Sequence, residues 1–178
     1  LTFQTGYSGV VPIDAALEHF PEILSYPENV NDRFTADDFV ALGIQYLNQG
    51  AVDPAIRQFR IALARKPYHR RGHAFLGRAL LANEEWEEAM EECQKALEMD
   101  PGNIVALTTL GLLEFRNDRR AGLHRLDEVL RIEPRNLEAL LLRAEFRRAM
   151  NDFNGAIADA RKASEIAGKL LSDPQRSM

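Results

Sequence analysis

His69 and His73 stand four residues apart, the spacing at which two imidazoles share one helical face and can ligate zinc. A hydrolytic site of that kind also needs a glutamate base beside the first histidine, and none follows His69. His69 lies two residues after Pro67, in a turn, and His73 falls on an apolar stripe, so both are expected to be structural. Cys93 is the only cysteine, which rules out a disulfide within these residues and a Cys-based zinc site. It too lies on an apolar stripe, where a free thiol acts as a small hydrophobe. His19 and His124 have no Cys or Ser nucleophile in a recognisable arrangement. The glycines are isolated, so no phosphate-cradling loop is present, and the many carboxylates fall on solvated helical faces. No catalytic, cofactor-binding or metal-ligating residue is therefore assigned, and the chain is expected not to be an enzyme.

The composition narrows the remaining classes. Of 178 residues, 46% are hydrophobic and 28% charged, an ordinary globular balance. The net charge of −5 disfavours binding to a phosphate backbone, so no nucleic-acid partner is expected. No apolar run is long enough to insert in a membrane. The lone cysteine fits a reducing, cytoplasmic setting. The first residue is Leu rather than Met, which suggests a chain trimmed or cut from a longer one.

What must position these residues is a set of helices with a long internal period. Pro67, Pro101 and Pro134 are spaced 34 and 33 apart, and Gly168 stands 34 further on as a helix stopper. Ahead of each lies a trio at spacings of four and three: Ala55-Phe59-Ala62, Ala89-Cys93-Ala96, Gly122-Leu126-Val129 and Ala156-Ala160-Ala163. Such spacings place each trio on one helical stripe, small at its start, so that another helix can approach closely. Upstream come Phe39-Leu42-Gly43-Tyr46, His73-Leu76-Gly77-Leu80, Leu107-Leu110-Gly111-Glu114 and the degraded Leu140-Arg143-Ala144-Arg147. Asn83, Asn117 and Asn151, with Gly50 in the earlier turn, suit the left-handed conformation that ends helices. Asp53-Pro54 reads as an N-cap and first helical position, and Thr35 with Asp38 as a capping box. Eight helices follow, at about 36–48, 53–65, 70–82, 84–98, 104–116, 118–131, 137–150 and 152–170.

This pattern resembles the tetratricopeptide repeat, whose signature is W-x2-L-G-x2-Y, then A-x3-F, then P. Repeat 36–69 matches closely, with Phe39 in the Trp place. Repeat 70–103 has His73 there and Cys93 for Phe. Repeat 104–136 is one residue short in its inter-helix turn and carries Glu114 for Tyr, and repeat 137–170 keeps mainly the small residues. The resemblance implies an all-α, right-handed α-solenoid of about four helix pairs. Residues 1–35 would form an N-terminal helical extension and 171–178 a C-terminal tail.

It also implies a protein-interaction module, a scaffold or adaptor whose first helices line a concave groove for a peptide or helix. Helical phase then puts Asp37, Val40, Ile44 and Leu47 inward, with Arg71, Ala74, Arg78 and Leu81 beside them. Val105, Thr108, Leu112, Phe115 and Arg116 follow, and then Glu138, Leu141, Glu145 and Arg148. The apolar members form a track with Arg71, Arg78, Arg116 and Arg148 at its flanks. The chaperone-tail clamp of many relatives is not expected, because Val40, Ile44, Phe75, Val105 and Thr109 stand where it needs Lys, Asn and Arg. The glutamates at 84, 85, 87, 88, 91 and 92 are assigned mostly to an outer face. The alternative function is a structural subunit that self-assembles, with Ile166, Leu170 and Leu171 as a partly exposed C-terminal contact. In the N-terminal extension Ile13, Ala16, Leu17 and Phe20 form an apolar helical face, expected to cap the first helix or else to fill the groove.

Overall fold

The computed structural model describes residues 34–172, with side chains to Lys169. The chain divides into two units, residues 1–35 and 36–178. The expected apolar face at Ile13, Ala16, Leu17 and Phe20 and the side chains of Leu170 and Leu171 lie outside the described residues. From Ala36 onward the described residues form eight helices and no strand. They are α1 (Ala36–Asn48), α2 (Val52–Arg65), α3 (Arg70–Ala82), α4 (Trp86–Met99), α5 (Ile104–Phe115), α6 (Arg119–Ile132), α7 (Leu137–Ala149) and α8 (Phe153–Ser172). None is long and apolar enough to cross a membrane.

Local chemistry sets the starts. His69, Asn103 and Asn136, at successive spacings of 34 and 33, cap the first helices of three pairs by accepting N–H bonds from Gly72, Ala106 and Ala139. Each such bond satisfies one of the orphan donors of the first turn. Asp118 does the same for α6 through Arg120 and Ala121. The expected cap at Asp53 is displaced: α2 begins at Val52 with Ala51 before it, so Asp53 sits in the first turn and favours the helix N-terminus by its charge.

The turns differ from expectation in one respect. The left-handed residues are Gly50 (φ 76°), Glu84 (φ 63°) and Asn151 (φ 63°), in register, while Asn83 keeps a φ of −92°. In the third pair the shortened turn drops this position, and Asn117 does not adopt it. Gly168 does not stop its helix either. It lies within α8, exposed, and the helix continues to Ser172, into the segment expected to be a tail.

Consecutive helices pack as antiparallel pairs, and α1 meets α3 as α3 meets α5. Close approach depends on the small residues. A Cβ on Gly122 would fall 2.6 Å from the Gly111 carbonyl oxygen, so α5 and α6 cross backbone to backbone. A Cβ on Gly43 would meet the Phe59 ring at 2.5 Å. One core cluster joins Phe39, Phe59, Leu80 and Leu110, and a second joins Leu107, Leu126, Leu140 and Phe146. Ile166, expected to be partly exposed, is buried in the second cluster. Ala160, aligned with the buried Phe59, Cys93 and Leu126, is exposed, because no described helix follows α8 to cover it.

Candidate functional site

The two histidines four residues apart point their nitrogens at structural partners. The Gly72 N–H donates to His69 Nδ1 at 3.1 Å, so that ring carries its proton on Nε2, which faces Asp37 Oδ1 at 3.0 Å. His73 Nε2 donates to the Pro67 carbonyl at 2.7 Å, and Nδ1 faces Glu92 Oε2 at 2.6 Å. A carbonyl only accepts, and Glu92 is held as a carboxylate by Lys95 at 2.6 Å, so His73 is an imidazolium between two acceptors. The hydrogen bond to Glu92 is the main cause that raises the His73 pKa, against burial. Burial pushes Glu92 up, but the bonds from His73 and Lys95 outweigh it and leave its pKa lowered. Glu92 is therefore not part of an outer acidic face; it is buried between α3 and α4. Burial also pushes the Cys93 thiol up to about 12, which keeps it protonated and inert as a nucleophile.

Glu92 belongs to a series. Gln58, Glu92, Arg125 and Asp159 hold one register on the second helices, each just before a trio's middle residue. Arg125 binds Glu114 through Nε and Nη2 at 3.0–3.2 Å, which accounts for a glutamate in the tyrosine place. Asp159 receives Arg143 at 2.6 and 2.9 Å and Arg147 at 2.9 Å, so the degraded fourth repeat adds ion pairs to its apolar contacts. A polar residue recurring at one register is a signal legible in the sequence itself.

An opening lies among the first helices. A cavity of about 240 Å³ is lined by Leu47 of α1, by Arg78, Leu81 and Ala82 of α3, by Thr108, Thr109 and Leu112 of α5 and by Glu138 of α7. Of the expected groove residues, this brings together Leu47, Arg78, Leu81, Thr108 and Leu112. Ile44 is half-buried against the first core cluster, and Arg71 and Arg148 are exposed away from the cavity lining. Ala82 and Thr109 line it as well; both sit one residue from an assigned position, and Thr109 stands at one of the clamp places.

Four assignments need correction. Val40 is 1% exposed and belongs to the core, because the register of Val40, Ala74 and Thr108 faces the neighbouring first helix. Thr108 itself is 3% exposed, so it floors the cavity rather than presenting a free surface. Phe115 stacks on Phe146 of α7 with ring centroids 3.6 Å apart and packs against the second cluster. Its groove role is overturned by that stack and by its absence from the cavity lining. Arg116 lies over the Trp86 ring at 4.1 Å, a cation–π contact, and is not at the cavity. Leu141 escapes the burial of its register mates and is 48% exposed.

Residues 40–104 match the family model described as "Tetratricopeptide repeat". Over 134 residues, 75% of this chain, the sequence is 30% identical to BBSome complex member BBS4 of Bos taurus, and it spans 25% of that relative's length. The fold is similar to that of MamA from Desulfovibrio magneticus RS-1, with a TM-score of 0.65, 18% identity and coverage of 88% of this chain and 86% of that one. It is also similar to the first TPR of Spaghetti (RPAP3) bound to an HSP90 peptide, with a TM-score of 0.59, 21% identity and coverage of 66% and 94%.

Proposed function

Because this chain belongs to the tetratricopeptide repeat family of protein-interaction modules, we propose that its first helices hold a peptide or short helix of a partner protein. The observation that carries this reading is the 240 Å³ cavity, walled by leucines of α1, α3 and α5 and rimmed by one ion pair. Apolar walls with a few polar groups are the usual make-up of a ligand-binding cleft. The chaperone-peptide mode of the RPAP3 domain is not carried over to this chain. Val40 and Thr109, at two of the clamp places, are buried, and the Thr109 hydroxyl donates to the Val105 carbonyl at 2.8 Å.

Peptides selected by display against the immobilised chain test the proposal. Leu47→Gln and Leu112→Gln are expected to weaken the selected peptides roughly tenfold or more, as loss of about 1.4 kcal/mol of apolar contact would. Helical circular dichroism and melting temperature report whether each variant is still folded. Unchanged affinity in both folded variants would place the binding surface elsewhere.

Self-assembly is the second reading, favoured by a specific observation. Leu141, Phe153 and Ile157 are 48%, 57% and 50% exposed, whereas Ile56, in register with Ile157, is buried beneath the next pair. This end of the described array thus presents the kind of surface that stacks on another helix.

A further inference from the structure

The cavity lining includes an ion pair between residues 60 apart in the chain. Arg78 Nη2 of α3 donates to Glu138 Oε1 of α7 at 2.7 Å, while Nη1 stands 3.5 Å from Oε2. Both side chains are near half exposed, at 40% and 46%, so the pair is screened and contributes little to holding the array together. Only one arm of the guanidinium fork is well used, which leaves Nη1 able to take another carboxylate oxygen. With the pair, Leu47, Leu81 and Leu112 line a space of about 240 Å³. A dry apolar cavity of about 150 Å³ already admits a benzene-sized group, so this one accommodates a single large aliphatic or aromatic side chain. The cavity lining has one cation and one anion; on the same helix series Arg71, Arg116 and Arg148 add exposed positive charge and Asp37 and Glu145 exposed negative charge, so the lining's own Arg78 is what offers a carboxylate a partner.

We infer that the Arg78–Glu138 pair is a displaceable cover, and that the cavity takes a partner peptide's apolar side chain with a carboxylate close to it. This rests on the groove reading above and adds the chemistry of the ligand. Burial of the apolar group drives entry, and the ligand carboxylate binds Arg78. Glu138, released, returns to solvent that it already half occupies, so its release costs little. Glu138 thereby acts as a built-in competitor that raises the threshold for acidic ligands. The register differs from that of the chaperone-tail clamp, whose places here hold no cation.

Phenylbutyrate, phenylbutanol and phenylbutylamine share one apolar group and differ in charge, which makes them suitable probes. Each is titrated into the intact chain carrying methyl-labelled leucine, with the Leu47, Leu81 and Leu112 methyl resonances as the readout. Phenylbutyrate is expected to shift these methyls saturably and to bind several-fold more tightly than the alcohol, with the amine weakest. Glu138→Gln is expected to tighten phenylbutyrate several-fold, and Arg78→Gln to make acid and alcohol equal. Both substitutions fall on half-exposed side chains, and unchanged methyl dispersion in the free variants shows that the fold is kept. If all three compounds bind equally, the cavity accepts an apolar group and the groove reading stands, but the carboxylate preference is overturned. If Glu138→Gln weakens phenylbutyrate, the competitor role is overturned. If no compound shifts the methyls, the inference fails, while the groove reading is judged separately by the selected peptides.

Discussion

The residue that departs furthest from its sequence pattern is Glu84. It adopts φ 63° in the place where the first turn has Gly50 and the fourth has Asn151. A side chain with a Cβ pays roughly 1 kcal/mol or more for that conformation, and Gly pays almost none. Glu84→Gly is therefore expected to stabilise the fold by about 1 kcal/mol, read as a higher denaturation midpoint with an unchanged slope. His73 and Glu92 supply a second residue-scale effect, with opposite dependences on pH. The raised His73 pKa gives stability that is complete below the usual 6.5 and is lost as pH rises through the higher folded value. The lowered Glu92 pKa gives stability present above the usual 4.5 and lost as pH falls through the lower folded value. The pair thus contributes most between about pH 4.5 and 6.5. Glu92→Ala, which leaves a buried imidazolium unpaired, is expected to cost about 3 kcal/mol in that window. Thermal melts of both proteins from pH 5 to 9 should show the gap narrowing at the alkaline end; a constant gap would mean that His73 is not charged.

At the scale of the helix, small residues matter only where a second helix presses on them. Ala89 is fully buried near the crossing where a Cβ on Gly77 would meet Cys93 Sγ and would stand 3.0 Å from the Ala89 carbonyl oxygen. Ala160 carries the same small side chain on α8 and is exposed. Ala89→Leu should overpack the α3–α4 contact and cost about 1–3 kcal/mol. Ala160→Leu should change stability by less than about 0.5 kcal/mol. Denaturant titrations compare the two, and equal losses would show that helix propensity rather than packing decides. The fourth pair makes the converse point. It lacks the Leu-Gly-Tyr half, yet α7 and α8 stay paired through Leu140, Phe146, Ala163 and Ile166 in the second cluster and through Asp159, which takes both Arg143 and Arg147.

For the array as a whole, the same reasoning predicts an association surface. Phe153 and Ile157 lie one turn apart on α8, and Leu141 on α7 is exposed as well. If this end mediates self-contact, sedimentation should show a size that rises with concentration, and Ile157→Lys should return the chain to a constant monomer. A monomer at all concentrations in the unmodified chain would leave the partner-binding reading alone.

Periodicity made the repeat legible. Trios at spacings of four and three, prolines 34 and 33 apart and turn residues recurring with the same period led to helices whose observed bounds lie within two residues of those expected. Such signals are local: a helix period and a turn conformation depend on neighbouring residues, and the residues themselves carry them. The face each side chain meets is not local. Val40 and Leu141 hold one register, yet Val40 is buried by the next first helix and Leu141 is not. Phe115 was phased toward the groove and stacks instead on a ring 31 residues away, across a turn one residue short. Glu92 reads as one more glutamate in an acidic run until His73, on the preceding helix, is placed 2.6 Å from it. The Arg78–Glu138 cover joins two residues whose separation of 60 follows no repeat. Helix and repeat were thus determined by the sequence alone, whereas burial, ion pairing and the cavity were decided by how neighbouring pairs stack, because each depends on atoms distant in the chain.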